Sequence, residues 1–107
     1  MEQNVSNQQG GGTKIHVEFL GFPMVSDLIG TKKLDLNIPG ETVKDVIDEL
    51  TRRYGKKVER AFYDDKGRLD VTLQMTLNGK TFISADQLHA PLKNGDTLTF
   101  VLLLAGG

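Results

Sequence analysis

Apolar and polar residues alternate through Ile15-His16-Val17-Glu18-Phe19. That is the period of a strand with one buried face. A loop is expected from Pro23 to Gly30, with Met24, Val25, Leu28 and Ile29 against the edge of the core. Leu34-Asp35-Leu36-Asn37-Ile38 alternates again and reads as the hairpin partner of the first strand. Pro39-Gly40 ends it. Thr42 then stands where a helix N-cap belongs, with Asp45 three residues on as a capping-box partner. Val43, Val46, Ile47, Leu50 and Tyr54 recur at helical spacing and form one apolar stripe. Asp45, Asp48 and Glu49 make its polar face. Arg52 and Arg53 fall in the last turn, where the helix dipole favours cations, and Gly55 is placed to stop the helix in a left-handed conformation.

Beyond the helix the pattern loosens. Val58, Ala61 and Phe62 are spaced for a short helical turn, and Asp64-Asp65-Lys66-Gly67 reads as a turn. Leu73, Met75 and Leu77 alternate, and Asn78-Gly79 is a two-residue hairpin signal leading to a short return strand, Thr81-Phe82-Ile83. Asp86 to Leu92 is a connection or one turn of helix. Lys93-Asn94-Gly95-Asp96 turns the chain into a last strand, Thr97 to about Leu103. That strand is apolar on both faces, with Leu98, Phe100 and Leu102 on one and Val101 and Leu103 on the other, so it belongs in the middle of a sheet. The order of elements predicts an α+β chain of β-grasp (ubiquitin-like) type: a mixed sheet of four to five strands with one main helix packed across it.

Composition changes little in this picture but removes several functions. The chain has 107 residues, one domain's worth, with 38% apolar and 25% charged residues. A net charge of -1 gives no global attraction to nucleic acid or anionic membrane. The absence of cysteine excludes disulfides, thiolate metal sites and a cysteine nucleophile. No apolar run approaches the roughly 20 residues of a membrane-spanning helix, and the start Met-Glu-Gln-Asn has neither the basic residues nor the apolar run of a signal peptide. A cytoplasmic protein is the expectation. Residues 1–13, polar and ending in a glycine run at Gly10-Gly11-Gly12, are expected to be a disordered tail or a docking peptide. The β-grasp domain is expected over 14–103, and 104–107 as a flexible diglycine tail.

Candidate chemistry inside the domain is sparse. His16 and His89 are isolated, Asp64-Asp65 are neighbours on a turn, and Lys32-Lys33 and Lys56-Lys57 are short basic pairs expected to be solvated rather than phosphate-binding. Gly10-Gly11-Gly12 lacks the spacing and the Lys-Ser/Thr of a phosphate loop. No cofactor or metal is expected. What remains is the end of the chain, Leu104-Ala105-Gly106-Gly107.

The hairpin over 15–38, Thr42-Val43-Lys44-Asp45-Val46-Ile47 opening the helix, Arg53-Tyr54-Gly55 closing it, Leu77-Asn78-Gly79-Lys80, Leu92-Lys93-Asn94-Gly95-Asp96 and the terminal Leu104-Ala105-Gly106-Gly107 together resemble the MoaD/ThiS family of ubiquitin-like sulfur carriers over about 14–107. The resemblance implies a carrier rather than an enzyme. An E1-like adenylating enzyme (MoeB/ThiF type) would activate the carboxyl of Gly107, with Gly106 beside it, and a sulfur donor would convert it to a thiocarboxylate. Use by an acidic groove of that enzyme is then the alternative for Lys32-Lys33 and Lys56-Lys57. An acceptor enzyme such as the molybdopterin synthase large subunit would then take the sulfur. Relatives serve thiamin, cysteine or homocysteine synthesis, and some are conjugated to proteins. Val101-Leu102-Leu103-Leu104 stands where the molybdopterin branch commonly has an aromatic residue and prolines, and the stretch between helix and third strand is longer than in compact members. The pathway therefore stays open.

The tail suits that chemistry. A carboxylate resists nucleophilic attack until adenylation gives it a good leaving group. Glycine, lacking a Cβ, makes a thin leading end. Four extended residues, Leu104 to Gly107, reach roughly 13 Å at about 3.3 Å each. Val101, Leu103, Leu104 and Ala105 are the expected partner-binding residues, with Val101 and Leu103 on the sheet face that the helix leaves open.

Overall fold

The structure, a computed structural model, describes residues 12–103. Its elements in chain order are β1 Thr13–Leu20, α1 Pro23–Ile29, β2 Lys33–Ile38, α2 Val43–Tyr54, α3 Lys56–Phe62, β3 Leu73–Leu77, β4 Thr81–Ile83 and β5 Thr97–Leu102. The five strands form one mixed sheet in the order β2-β1-β5-β3-β4. β1 and β5 run parallel, with Val17 opposite Leu98 and Phe19 opposite Phe100. The other neighbours are antiparallel. The last strand is therefore the central one, as its apolar content required.

Alternation decides which side chains enter the core. Ile15, Val17 and Phe19 of β1, Leu36 and Ile38 of β2, Leu73 and Met75 of β3, Ile83 of β4, and Leu98 and Phe100 of β5 are buried. Val43, Val46, Ile47 and Leu50 of α2 and Val58, Ala61 and Phe62 of α3 cover them. Four phenylalanines weld the layers. Phe19 stacks on Phe100 at 5.7 Å between ring centroids, and Phe62 meets Phe100 edge-on at 4.9 Å and Phe22 at 5.6 Å. Edge-to-face contacts of this kind suit the ring quadrupole.

The start of α2 forms as its sequence dictates. The Asp45 N–H donates to Thr42 Oγ1 at 3.2 Å and the Thr42 N–H donates to Asp45 Oδ2 at 3.0 Å, a complete capping box. Gly40 lies so close that a Cβ there would collide with the Asp45 carboxylate. Asn78 and Gly79 both take positive φ, 55° and 67°, as the β3–β4 turn demands.

Several expectations are corrected. The segment from Pro23 is a helix, not a loop, with Val25 buried and Ile29 half-buried, while Met24 and Leu28 face outward, 60% and 43% exposed. The stretch after α2 is a second helix rather than an isolated turn. Gly55 has φ 95° but an extended ψ of -174°, so it is not left-handed helical; it turns the chain directly from α2 into α3. Residues 86–92 form turns without a helix. Thr13, placed in the tail by the sequence reading, is the first residue of β1, opposite Ile38. Glu49, assigned to the polar face of the helix, is only 5% exposed and is clamped by Arg52 and Arg53.

Candidate docking surface at the end of the central strand

The helices cover one face of the sheet and leave the other open. On β5, Leu98 and Phe100 anchor the strand in the core, so the intervening Thr97, Thr99 and Val101 face the open side. Register supplies their neighbours. Val101 lies between Leu20 and Gln74, and Thr99 between Glu18 and Thr76, with Phe82 beyond Thr76. Leu20 is 50% exposed and Leu103 46%, and Val101 is half-buried beside Leu20, while Phe82, 69% exposed, lies two strands from β5 in the row of Thr99 and Thr76. Thr99 Oγ1 donates to Glu18 Oε1 at 3.3 Å, and Lys33 Nζ lies 3.7 Å from the same carboxylate. The open face therefore has a short apolar strip at one end and polar residues below it.

The chain leaves the sheet at that apolar end. The Leu103 N–H donates to the Thr72 carbonyl at 2.7 Å, one residue past the end of β5. Thr72 is itself fixed, since its N–H and hydroxyl both donate to Asp70 Oδ1, at 2.8 and 2.6 Å. Those bonds, the hydroxyl's first, hold the Asp70 carboxyl below the usual carboxylate range. A hydrogen-bonded turn thus sets where the exit lies.

Of the residues expected to act, Val101 and Leu103 lie together at the base of the exit. Leu104, Ala105, Gly106 and Gly107 lie outside the described residues. Leu20 and Phe82 were not singled out from the sequence, although a signal existed. Each is a large apolar residue at an outward position of an alternating strand, next to inward Phe19 and Ile83.

The residues discounted in the sequence stay apart. His16 Nδ1 is 2.6 Å from Asp35 Oδ1 on the polar end of the open face, and His89 is exposed on a turn. Among the described residues, no three His, Cys, Asp or Glu side chains come together as metal ligands, and no helix is long and apolar enough to cross a membrane.

The parallel first and last strands, the central β5 and the helix across one face define a ubiquitin-like β-grasp fold, as the resemblance implied. No family model matches the sequence, and no curated protein matches it significantly. Solved structures do. The small archaeal modifier protein 1 of Methanosarcina acetivorans is 26% identical, with a TM-score of 0.69 over 92% of this chain and 100% of that one. CysO, in a complex with BexX from Amycolatopsis orientalis, is 25% identical, with a TM-score of 0.64 over 87% and 99%. A Pyrococcus furiosus protein described as molybdopterin converting factor, subunit 1, is 24% identical, with a TM-score of 0.59 over 86% and 99%.

Proposed function

We propose that this chain is a sulfur carrier whose reactive group is the carboxyl of Gly107. A Gly107 carboxylate oxygen attacks the α-phosphorus of ATP on an E1-like enzyme of the MoeB/ThiF type, releasing pyrophosphate. A sulfur nucleophile at the oxidation level of hydrosulfide then displaces AMP, leaving a thiocarboxylate. An acceptor enzyme removes that sulfur, most simply the large subunit of a molybdopterin synthase. The observation that carries this reading is the central strand. β5 is locked in the core by Leu98 and Phe100 and delivers the chain at Leu103, beside Val101 and Leu20. A partner that docks there has Leu104-Ala105-Gly106-Gly107 within reach of its active site. Gly106 and Ala105 keep that lead narrow.

A second reading has its own support. The similarity to small archaeal modifier protein 1 favours a ubiquitin-like modifier joined through Gly107 to lysines of other proteins. Both readings share the adenylation step and diverge after it. Mass spectrometry of the full chain incubated with its E1-like enzyme, ATP and a sulfur source separates them. Exchange of one terminal oxygen for sulfur supports the carrier, and branched Gly–lysine peptides from cells support the modifier. Full biological activity after deletion of Gly106-Gly107 would sink both.

A further inference from the structure

The open sheet face is not the only apolar surface at the exit. β1 runs parallel to β5 with Leu20 beside Val101, and α1 begins three residues after Leu20. A Cβ at Gly21 would lie 3.8 Å from the Leu102 carbonyl oxygen. The N-terminal end of α1 therefore sits next to the point where the chain leaves the sheet, around the edge from the open face. Met24 and Leu28, one helical turn apart, stand on its outer side. With Pro23, Asp27 and the α3 residues Lys57 and Arg60 they line a cleft of about 520 Å³.

Two features distinguish this cleft from ordinary surface. Its walls are mainly hydrocarbon, from Pro23, Met24 and Leu28. Its lining carries two cations against one carboxylate: Lys57 and Arg60 make no ion pair among the described residues and face Asp27 here, and Arg60 also borders an adjacent cleft with Asp48, Glu59, Asp64 and Asp65. An apolar floor with excess cations on one wall complements an apolar segment bordered by carboxylates.

From this geometry we infer that the cleft between α1 and α3 is a second docking site, occupied by an acidic, apolar segment of the E1-like adenylating enzyme. The inference rests on the adenylation step of the proposed function. An enzyme that draws residues 104–107 into its active site approaches the end where Leu103 leaves. At that end, one binding surface can reach both Leu20 and Val101 on the sheet and Met24 and Leu28 on α1. The cleft would add a second point of contact, around the edge from the first, that restricts rotation of the carrier about its own tail.

The test is steady-state release of pyrophosphate by the E1-like enzyme of the same organism, with ATP and hydrosulfide in excess to displace AMP from each adenylate and the full chain as varied substrate. In a Met24→Ser, Leu28→Ser double variant the KM for the carrier rises about tenfold or more, while kcat stays within about twofold, because both residues bind without touching the reacting carboxyl. Lys57→Glu with Arg60→Glu raises KM similarly and weakens its dependence on salt. Lys80→Glu, on the β3–β4 turn, changes neither. All five substituted residues are exposed, and circular dichroism with thermal melting checks that each variant folds. Folded variants with the wild-type KM would overturn the second site while leaving the proposed function standing. A wild-type chain that its E1-like enzyme never adenylates overturns both.

Discussion

Glu49 shows how one side chain can contradict the pattern around it. It follows Asp48 on the polar side of the α2 stripe, yet it is buried, with Arg52 Nη2 at 2.6 Å and Arg53 Nε at 3.2 Å from its Oε2. The hydrogen bond from Arg52 is the main reason its carboxyl is held below the usual carboxylate range; burial acts the other way. A carboxyl whose folded pKa lies below its unfolded value, about 4.3 for Glu, stabilises the fold at neutral pH. That stabilisation fades as acid protonates it. Urea melts from about pH 7 to 2 should therefore show Glu49→Gln to be less stable than wild type at neutral pH. The gap should close toward low pH. Equal curves at every pH would mean that the two arginines contribute nothing beyond solvation. The clamp was not legible in the sequence, because spacing placed Arg52 and Arg53 three and four residues on but could not say that the helix lies close enough to Pro39 to bury the carboxylate.

Among the elements, α2 was the most legible and α1 the least. α2 carries its own instructions: a cap, a stripe and cations at its end. Thr42→Ala removes the acceptor for the Asp45 N–H and the donor to its carboxylate. It should cost about 1 kcal/mol, read as a lower urea midpoint with an unchanged m-value. α1 has only seven residues, no side-chain cap and apolar residues on both sides, so no single period marks it. Its helix forms because Val25 and Phe22 are drawn into the core beside Phe62 and Phe19. Tertiary burial outweighed weak local propensity there. The same holds for α3, whose Val58, Ala61 and Phe62 give one short turn of pattern but complete burial.

At the scale of the whole molecule, the phenylalanine cluster joins the central strand to α3 and to the residue that opens α1. Phe62 touches both Phe100 and Phe22. Phe62→Ala should cost about 3–5 kcal/mol, out of the roughly 5–15 kcal/mol that holds a domain of this kind together. It should also loosen α1 relative to the sheet, seen as faster amide exchange in Pro23–Ile29 than in β1. The order of elements, the hairpin turn, the main helix and the central place of the last strand could all be read from the sequence. Each depends on periodicity, on turn residues or on the count of apolar faces, which are local properties. Val101 could be placed on the open face for the same reason. The neighbours of that strip needed the fold. Leu20 and Phe82 lie 81 and 19 positions from Val101 in the chain, and only strand order and register set them on the same face. The chain alone thus determined which strand carries the tail. The tertiary structure decided what surrounds the exit, because side chains that share a surface there are joined through the sheet and not through the sequence.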